Sequence, residues 1–569
     1  MKKYILAVVL VLIPAFLQAA VLPDAPKVAI DFNSYHTYEQ LTDILKKLAE
    51  AYPELATLES VGKSYQNRDI WVLTINNPDT GPMLTKPAFY MDGNIHGNEV
   101  QASEACLYTL WYLLTNYDKM ERVTNVVDRA AFYFIPCVNV DGRSYFLEQP
   151  NNPSSSRSGQ RPVDDDRDGL FDEDGYDDLD GDGSITMMRI KDPAGRMKPD
   201  PEDPRMMIMA EPGKPGGWEL LGMEGIDNDE DGRINEDPPG GYDLNRNWGY
   251  NWMPEYVQFG AGEYPMSHPE SRVINEFLLK HPNIIAGTAG HNSGGMILRG
   301  PGAKNMGQFS PMDVRVYDYL GKRGEQVIPG YKYLVAYKDL YTTYGDFDSY
   351  LHGTFGAYAF TIEHFTDSWE DITGDGEVDD KERLKFDDYL RHGEGFKEWK
   401  PYKHPLYGDI EIGGWTKMTQ RPTPEFMLAQ ECHRTAAFII FHAESMPLLK
   451  FRDVKVESVG GGLFRITAAV SNEQVIPTRS AHMVRSNIGR PDFAVISGSN
   501  IEVVSGGEVS DKYRGIIEPQ YKDPARLRVR ALNSQSDVIL QWLVRGRGSA
   551  TLTYNSLKGG LIEKTLDLR

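Results

Sequence analysis

Two residues that could bind a metal ion, His96 and Glu99, stand three positions apart in the segment GNIHGNEV, residues 93–100. The segment connects an apolar stretch, AFYM at 88–91, to a longer apolar run that is typical of a helix. A strand end followed by one turn can direct both side chains to one point, and a catalytic zinc ion takes three protein ligands. The pair alone is a weak signal, because a polar turn that precedes a buried helix can contain the same two residue types.

Four other segments place polar residues at the ends of apolar stretches. They are VNVDG (138–142), GYDLNRNWG (241–249), GHNSGG (290–295) and AFTIEHF (359–365). The third presents His291 directly after a strand of small and β-branched residues, and the fourth ends a strand with Glu363. A single acid at the end of a buried apolar strand is a reasonable position for a functional group, although an acid that simply faces water is the plain alternative.

In this order, the five segments resemble the motifs of the zinc carboxypeptidases of the carboxypeptidase A, B and T kind, over roughly residues 28–445. The resemblance implies that His96, Glu99 and His291 hold one catalytic zinc ion. It also implies that Glu363 is the general base and later the proton donor, acting on water whose pKa a zinc ion lowers to about 7.

The resemblance further implies that Asn245 and Arg246 bind the terminal carboxylate of a substrate, which suits the two parallel hydrogen bonds of a guanidinium group. The family also has an arginine that stabilises the oxyanion, since a cation is needed beside the developing negative charge. An acidic insert at about residues 151–240 makes the alignment with the family ambiguous at this point. Arg189 is the preferred candidate, ahead of Arg157 and Arg161.

Two further roles fall in the segment LYTTYGDFDSYLHG, residues 340–353. The resemblance implies a mobile tyrosine that covers the substrate, for which Tyr341 fits best and Tyr344 is next. The residue that contacts the last side chain of the substrate falls at Phe347, which favours an apolar or aromatic substrate residue. A shift of one position to Asp346 would reverse this preference toward a basic residue.

Alternating aspartates followed by glycine recur within residues 164–185, 227–237 and 371–382. A calcium ion takes six to eight oxygen ligands, and alternate residues of a tight loop point inward together, so we expect several structural calcium ions. The alternative is a solvated acidic linker. The first loops lack an acid at the twelfth position and would have to share ligands. The candidate ligands are Asp164, Asp166, Asp168, Asp178, Asp180, Asp182, Asp227, Asp229, Asp231, Asp371, Thr373, Asp375, Asp379 and Glu382.

The elements that must position these residues alternate between strands and helices. We predict strands at 70–75, 88–91, 131–136, 283–290 and 357–362, and helices after Thr37, after Glu99 and over 424–444. This alternation indicates an α/β fold with a mixed central sheet and helices on both faces. From about residue 446, short alternating segments separated by Gly, Asn and Ser predict an all-β sandwich.

The predicted organisation is a signal peptide (1–20), a catalytic domain (21–445) with an acidic Asp/Gly-rich insert (about 151–240), and a β-sandwich accessory domain (446–569). Two lysines, an apolar run and two small residues at the N-terminus are typical of a cleaved secretory signal. Because no other stretch approaches twenty apolar residues, we expect a secreted or periplasmic protein with no membrane span in the mature chain. The three cysteines predict buried free thiols rather than a disulfide framework.

The main functional hypothesis is a secreted zinc metallocarboxypeptidase that hydrolyses the C-terminal peptide bond of peptides or proteins with a free C-terminal carboxylate. The net charge of −22 argues against nucleic acid as a partner. Two alternatives stay open. One is a peptidase of the same fold that cuts peptidoglycan stem peptides or γ-glutamyl bonds, and the other is a catalytically inactive binding protein that calcium orders.

Overall fold

The computed structural model describes residues 25–154, 157–165 and 167–569. The predicted signal peptide and the candidate calcium ligand Asp166 lie outside these residues. Within the described ranges, no helix combines the length and the apolar character that crossing a bilayer requires.

An eight-stranded mixed sheet forms the centre of the first part of the chain, in the order β1-β2-β4-β3-β9-β12-β10-β11. Every residue of β3, β4 and β9 is buried, so the sheet is covered on both faces, as the sequence predicts. The strands are β1 (Ala56–Lys63), β2 (Asp69–Ile75), β3 (Ala88–Asp92), β4 (Ala131–Ile135), β9 (Ile284–Asn292), β10 (Met296–Arg299), β11 (Lys332–Val335) and β12 (Tyr358–His364).

Helices follow or connect these strands. α2 is buried along most of its length and packs against α9 and β9, while α5 packs against β1. Thr37 caps α1 by accepting a hydrogen bond from the backbone of Gln40. The helices are α1 (Tyr38–Ala51), α2 (Gln101–Asn116), α3 (Glu121–Arg129), α4 (Val140–Glu148), α5 (Pro269–Lys280), α6 (Pro311–Val327), α7 (Phe347–Tyr350), α8 (Asp380–Phe386), α9 (Glu425–Glu444) and α10 (Ala481–Ser486).

Three parallel neighbours in the sheet bring the predicted site residues together. β3 pairs with β9 and β9 pairs with β12, so their carboxyl ends meet at one edge of the sheet. In this register, Glu363 on β12 lies directly opposite His291 on β9. The loop that carries His96 and Glu99 begins at the same edge, immediately after β3. Residues about 200 positions apart in the sequence therefore become neighbours.

The insert contains more regular structure than the sequence analysis predicts. Its strands join a hairpin from residues 396–415 in a six-stranded antiparallel sheet, in the order β13-β14-β5-β8-β6-β7. The insert strands are short, and the one that connects them to the hairpin, β5, pairs with β14, which lies far away in the sequence. The strands are β5 (Met187–Lys191), β6 (Met197–Pro199), β7 (Met207–Met209), β8 (Trp218–Met223), β13 (Phe396–His404) and β14 (Gly408–Trp415).

The C-terminal region is all β apart from α10, with one five-stranded and one four-stranded antiparallel sheet that share a hydrophobic core. Ile476 and Met483 from this region also pack into the core of the α/β part. The strands are β15 (Leu449–Gly460), β16 (Leu463–Asn472), β17 (Asp492–Ser497), β18 (Ile501–Asp511), β19 (Ile516–Pro519), β20 (Arg526–Val529), β21 (Asp537–Gly546), β22 (Gly548–Ser556) and β23 (Gly560–Leu568). The three cysteines are buried and free, which confirms that prediction.

Candidate active site

His96, Glu99 and His291 form one buried group of possible metal ligands. Nδ1 of His96 lies 2.9 Å from one carboxylate oxygen of Glu99, and Nδ1 of His291 lies 2.8 Å from the other. The two Nδ1 atoms are 3.2 Å apart. Two imidazole nitrogens and one carboxylate oxygen are a donor set that zinc accepts, and three protein ligands leave a coordination position for water or substrate. The residues therefore fit a catalytic zinc ion.

The loop between β3 and α2 holds two of these ligands in a fixed conformation. Gly93 passes so close to α2 that a Cβ atom would lie 2.5 Å from the carbonyl oxygen of Ala102. The side chain of Asn94 donates hydrogen bonds to the carbonyls of His96 and Gly97. The buried guanidinium of Arg143 in turn donates to Asn94 Oδ1 and to a loop carbonyl. These contacts hold the loop that carries two of the possible ligands.

Asp243 is a candidate site residue that no prediction from the sequence included. Its carboxylate lies 2.9 Å from Nε2 of His96, on the side of the ring away from the other ligands. It also accepts a hydrogen bond of 2.7 Å from the backbone of Asn245. Although burial opposes ionisation, His96, Arg246 and Arg157 hold the pKa of Asp243 well below its usual range. Its position two residues before Asn245, in a segment already singled out, was the available signal.

Glu363 is the next-to-last residue of β12, lies beside this group and is partly exposed. Desolvation raises the pKa of its carboxyl to about 7, with a further contribution from Glu99, while His291 and two arginines oppose the shift. A carboxylate with a pKa near neutrality is suited to take up and release a proton at physiological pH. The structure therefore brings the predicted base to the predicted metal ligands.

The prediction for Arg189 is wrong. Arg189 lies on β5 in the six-stranded sheet, where its guanidinium forms an ion pair of 2.6 Å with Glu411 and packs against the rings of Trp218 and Trp399. Arg189 is part of the packing of the six-stranded sheet, which was not predicted from the sequence. The second alternative, Arg161, forms an ion pair with Glu263.

Arg157 is the arginine that lies at the metal-ligand group. It donates a hydrogen bond of 3.0 Å to Glu99, and its Nε lies 3.4 Å from Asp243. Although burial opposes its charge, Asp243 and Glu99 raise the pKa of Arg157. A second cation, Arg421, lies 3.7 Å from Glu99 and donates to the carbonyl of Asn292. Arg421 belongs to no motif in the sequence, and nothing in its surroundings there indicates a functional role.

Asn245 and Arg246 lie next to the same group and are both buried. The side-chain nitrogen of Asn245 is 3.4 Å from Nε2 of His291. The guanidinium carbon of Arg246 lies 6.0 Å from the ring centre of Tyr341, which is 49% exposed. The pair therefore stands beside the metal ligands under an accessible tyrosine, in an arrangement that can receive a carboxylate.

The role predicted for Phe347 needs correction. Its ring is buried in the hydrophobic core, 4.5 Å from the ring of Trp248 and 5.5 Å from the ring of Tyr90. Its contribution to the site is a backbone N–H that donates to Asn245 Oδ1 at 2.9 Å. The neighbours on either side, Asp346 and Asp348, are buried carboxylates that both accept a hydrogen bond from the backbone of Ser349.

The acidic loops share a backbone geometry. In each, the N–H of the glycine at the sixth position donates to the first aspartate, as Gly183 does to Asp178 at 2.8 Å and Gly232 does to Asp227 at 2.9 Å. The same bond joins Gly169 to Asp164 and Gly376 to Asp371. These contacts turn the chain around the aspartates, as a calcium-binding loop requires.

Carboxylate oxygens within 4.8 Å of one another form four groups in the insert, and Asp229 belongs to three of them. The groups are Asp168, Glu173 and Asp229; Asp174, Asp229 and Glu236; Asp178, Asp180 and Glu224; and Asp227, Asp229 and Asp231. Two of these groups combine residues from the segments 164–185 and 227–237, which agrees with the expectation that the loops share calcium ligands.

Residues 371–382, as the structure describes them, supply no such group of acids. Glu382 instead accepts hydrogen bonds from the backbone of Ile372, Thr373 and Asp379, and forms a capping box with Asp379 at the start of α8. A calcium site at Asp371, Thr373, Asp375, Asp379 and Glu382 therefore stays a prediction, with Glu382 held by backbone contacts.

Comparison with protein families gives two matches. A family model described as "Zinc carboxypeptidase" matches residues 41–193 and 217–368, more than half of the chain. The residues between these two segments lie in the insert. A second model, described as a domain of unknown function, matches residues 448–567.

Among curated proteins, carboxypeptidase D of Homo sapiens is 30% identical over 152 residues, which are 27% of this chain and 11% of that protein. Carboxypeptidase M of Mus musculus is 32% identical over 114 residues, 20% of this chain and 26% of that protein. The matches thus span less than a third of either relative. Among solved structures, carboxypeptidase A from Helicoverpa armigera is 17% identical with a TM-score of 0.44, covering 74% of this chain and 76% of that one.

Proposed function

The chain belongs to the zinc carboxypeptidase family, and we propose that it removes the C-terminal residue from peptides or proteins that end in a free carboxylate. The observation that carries this proposal is the convergence of His96, Glu99 and His291 at the sheet edge where Glu363 lies near the end of β12. The position of Asn245 and Arg246 beside these residues favours release of a terminal residue over cleavage within a chain.

His96, Glu99 and His291 would hold the zinc ion. A bound zinc ion lowers the pKa of water to about 7 and polarises the carbonyl group that is attacked. Asp243 and the loop around Asn94 would orient His96 and Glu99 toward the zinc ion.

Glu363 would act as general base and then as general acid. It takes a proton from the attacking water and later donates it to the nitrogen of the leaving amino acid. Its raised pKa, about 7, allows both steps near neutral pH. Arg157 would supply the positive charge beside the oxygen that becomes negative in the transition state, because its guanidinium lies closer to Glu99, at 3.0 Å, than that of Arg421, at 3.7 Å.

Asn245 and Arg246 would bind the terminal carboxylate of the substrate, and Tyr341 would cover it from solvent. The guanidinium of Arg246 is buried, which strengthens its interaction with an anion relative to an exposed arginine. The backbone bond from Phe347 to Asn245 fixes the amide side chain of Asn245 and connects it to the segment that contains Asp346 and Asp348.

We propose a basic C-terminal residue as the preferred substrate residue. Asp346 and Asp348 are buried, and one carboxylate oxygen of each has no hydrogen-bond partner among the described residues. Burial and the charge of Asp346 raise the pKa of Asp348 well above its usual range. Gly302 leaves room at this point, since a Cβ there would lie 2.2 Å from Asp346 Oδ2. A lysine or arginine side chain would relieve the repulsion between the two carboxylates.

The deciding experiment combines metal analysis with assays of the purified protein. We expect one zinc ion per chain and release of single residues from the C-terminus of a peptide library. Glu363→Gln should keep the zinc ion and lose turnover, while unchanged turnover in this variant would refute the mechanism. Cleavage of peptidoglycan stem peptides or γ-glutamyl dipeptides, with no action on ordinary peptides, would identify the rival peptidase. Absence of peptidase activity in the wild-type protein on all of these substrates would identify the inactive binding protein.

We also propose that calcium ions order the insert and that the chain is exported. The shared acid groups around Asp229 and the buried, unpartnered oxygen of Asp174 support calcium binding, since such carboxylates repel one another without a cation. The lysines and the apolar run at the N-terminus support export, and N-terminal sequencing of the mature protein tests it.

A further inference from the structure

A cavity of about 760 Å³ lies between the α/β part and the C-terminal region. One wall comes from α6 and from Tyr358 at the start of β12. The opposite wall comes from residues 475–485 and 530–535. The cavity is separate from the metal-ligand group, and the proposed peptidase function does not use it.

Four arginines line this cavity: Arg315 on α6, and Arg479, Arg485 and Arg530 in the C-terminal region. Among the residues that the structure describes, none of these four guanidinium groups forms an ion pair with a carboxylate. Such a concentration of unpaired positive charge is unexpected in a chain with a net charge of −22. It points to an anion as the missing partner.

Arg479 is the central residue of this group, because only 5% of it is exposed. Its terminal nitrogens donate to the backbone carbonyls of Arg530, Met483 and Ile488, while its Nε atom has no partner among the described residues. A buried guanidinium that is held only by carbonyl groups keeps its full charge without a counter-charge in contact. The buried carboxylate of Asp492 attracts the guanidinium without forming an ion pair with it. One oxygen of Asp492 accepts hydrogen bonds from Thr478 and Tyr554, and the other has no partner among the described residues.

The one acid in the cavity wall is not available as that partner. One oxygen of Asp313 accepts hydrogen bonds from the Tyr358 hydroxyl at 2.6 Å and from the backbone of Ala481 at 2.8 Å. The other oxygen accepts from the backbone of His482 at 2.9 Å. Asp313 therefore joins the two parts of the chain and leaves the arginines unneutralised.

The rest of the lining is largely apolar, with Val316, Tyr319, Val475, Pro477 and Val484. We propose that this cavity binds a small organic anion, with a phosphate or carboxylate group on a compact apolar body. The arginines would contact the anionic group through charge-assisted hydrogen bonds, and the valines and Tyr319 would contact the apolar body. Because α6 and the C-terminal region each supply part of the wall, the ligand would contact both.

Isothermal titration of the full-length protein with phenyl phosphate, benzoate and phenol, at constant ionic strength, tests this proposal. We expect one site per chain for at least one of the two anions, and binding of phenol at least tenfold weaker. Tighter binding of phenyl phosphate identifies a phosphate ligand, and tighter binding of benzoate identifies a carboxylate ligand.

Arg485 and Arg530 are exposed at the cavity, so the double variant R485Q/R530Q removes two charges without opening the core. It should bind the preferred anion at least tenfold more weakly. The matched control is R514Q, which removes an exposed arginine of the same region outside the cavity and should bind normally. Equal weakening in both variants, equal binding of phenol, or no saturable binding of either anion would overturn the proposal.

Discussion

Asp243 contacts Nε2 of His96 at 2.9 Å, while Nδ1 of the same ring faces Glu99 and His291. An ionised carboxylate can only accept a hydrogen bond, and Nδ1 lies in the group that would hold the zinc ion. With zinc on Nδ1, the contact with Asp243 would place the ring proton on Nε2. The single contact therefore fixes both the tautomer and the orientation of the first metal ligand.

Removal of this contact should weaken metal binding. We expect Asp243→Ala to lower zinc affinity by about 10- to 100-fold, the usual effect of losing such a partner. Competition with a fluorescent zinc chelator measures the change. Glu263→Gln, which breaks the ion pair with Arg161 at the surface, is the control and should bind zinc normally. Equal affinity of Asp243→Ala and the control would show that the ring is held by other contacts.

Arg157 and Arg189 should differ in what their loss affects. We expect Arg157→Gln to lower kcat by about 100- to 1,000-fold, because it removes the cation proposed to face the oxyanion. Arg189→Gln should leave kcat within a few fold and lower the unfolding temperature, since it breaks the ion pair with Glu411 and the packing on two tryptophans. Steady-state kinetics and thermal unfolding of both variants decide the assignment, and the opposite pattern would restore Arg189 to the active site.

The contrast between these arginines shows what the sequence could and could not reveal. The sequence was sufficient to predict four site residues, because each follows or lies near the end of a recognisable buried strand. These residues are His96, Glu99, His291 and Glu363. The parallel pairing of β3, β9 and β12 then brings strand ends together in a predictable way. Local patterns were sufficient for residues whose position depends on the central sheet alone.

The positions of residues that depend on the insert could not be predicted from local sequence patterns. The insert strand β5 pairs with β14, roughly 200 residues later, and no local pattern specifies that pairing. This pairing draws Arg189 into the insert sheet and leaves Arg157 at the metal-ligand group. Arg421 illustrates the same limit, because its contact with Glu99 depends on how the chain approaches α9.

Substrate preference should depend on the two carboxylates beside Phe347. We expect the wild type to release C-terminal lysine or arginine at least tenfold faster, in kcat/KM, than phenylalanine or leucine. Asp348→Asn should reduce this preference, with little change for the apolar substrates, because it keeps the size of the side chain but removes the carboxyl group that would ionise beside a cationic substrate residue. Kinetics on a matched set of blocked dipeptides measure the ratio, and a wild-type preference for phenylalanine would show that these carboxylates do not face the substrate.

Calcium removal should destabilise the insert. We expect EGTA to lower the unfolding temperature by several degrees, and calcium, but not magnesium, to restore it, since the acid groups repel one another without a cation. Asp229→Asn should largely abolish the calcium dependence because three of the acid groups share this residue. Asp371→Asn is the control from a loop with no such group and should retain the dependence. Identical unfolding with and without calcium would refute calcium binding.

Lys558 should make stability depend on pH above neutrality. This buried lysine of the C-terminal region donates a hydrogen bond to the carbonyl of Ile284 on β9, and burial lowers its pKa to about 7. In the unfolded chain its pKa is about 10.4, so between these values the unfolded state binds more protons than the folded state. Stability due to this group therefore rises with pH from about 7 toward 10.

The substitution Lys558→Met removes this dependence. Relative to the variant, the wild type should gain up to about 2 kcal/mol of unfolding free energy between pH 7 and pH 9. Urea unfolding of both proteins at the two pH values measures the difference, and the variant corrects for all other titrating groups. The same pH dependence in both proteins would mean that Lys558 keeps an ordinary pKa in the folded state, and hence that water reaches its amino group between the two parts of the chain.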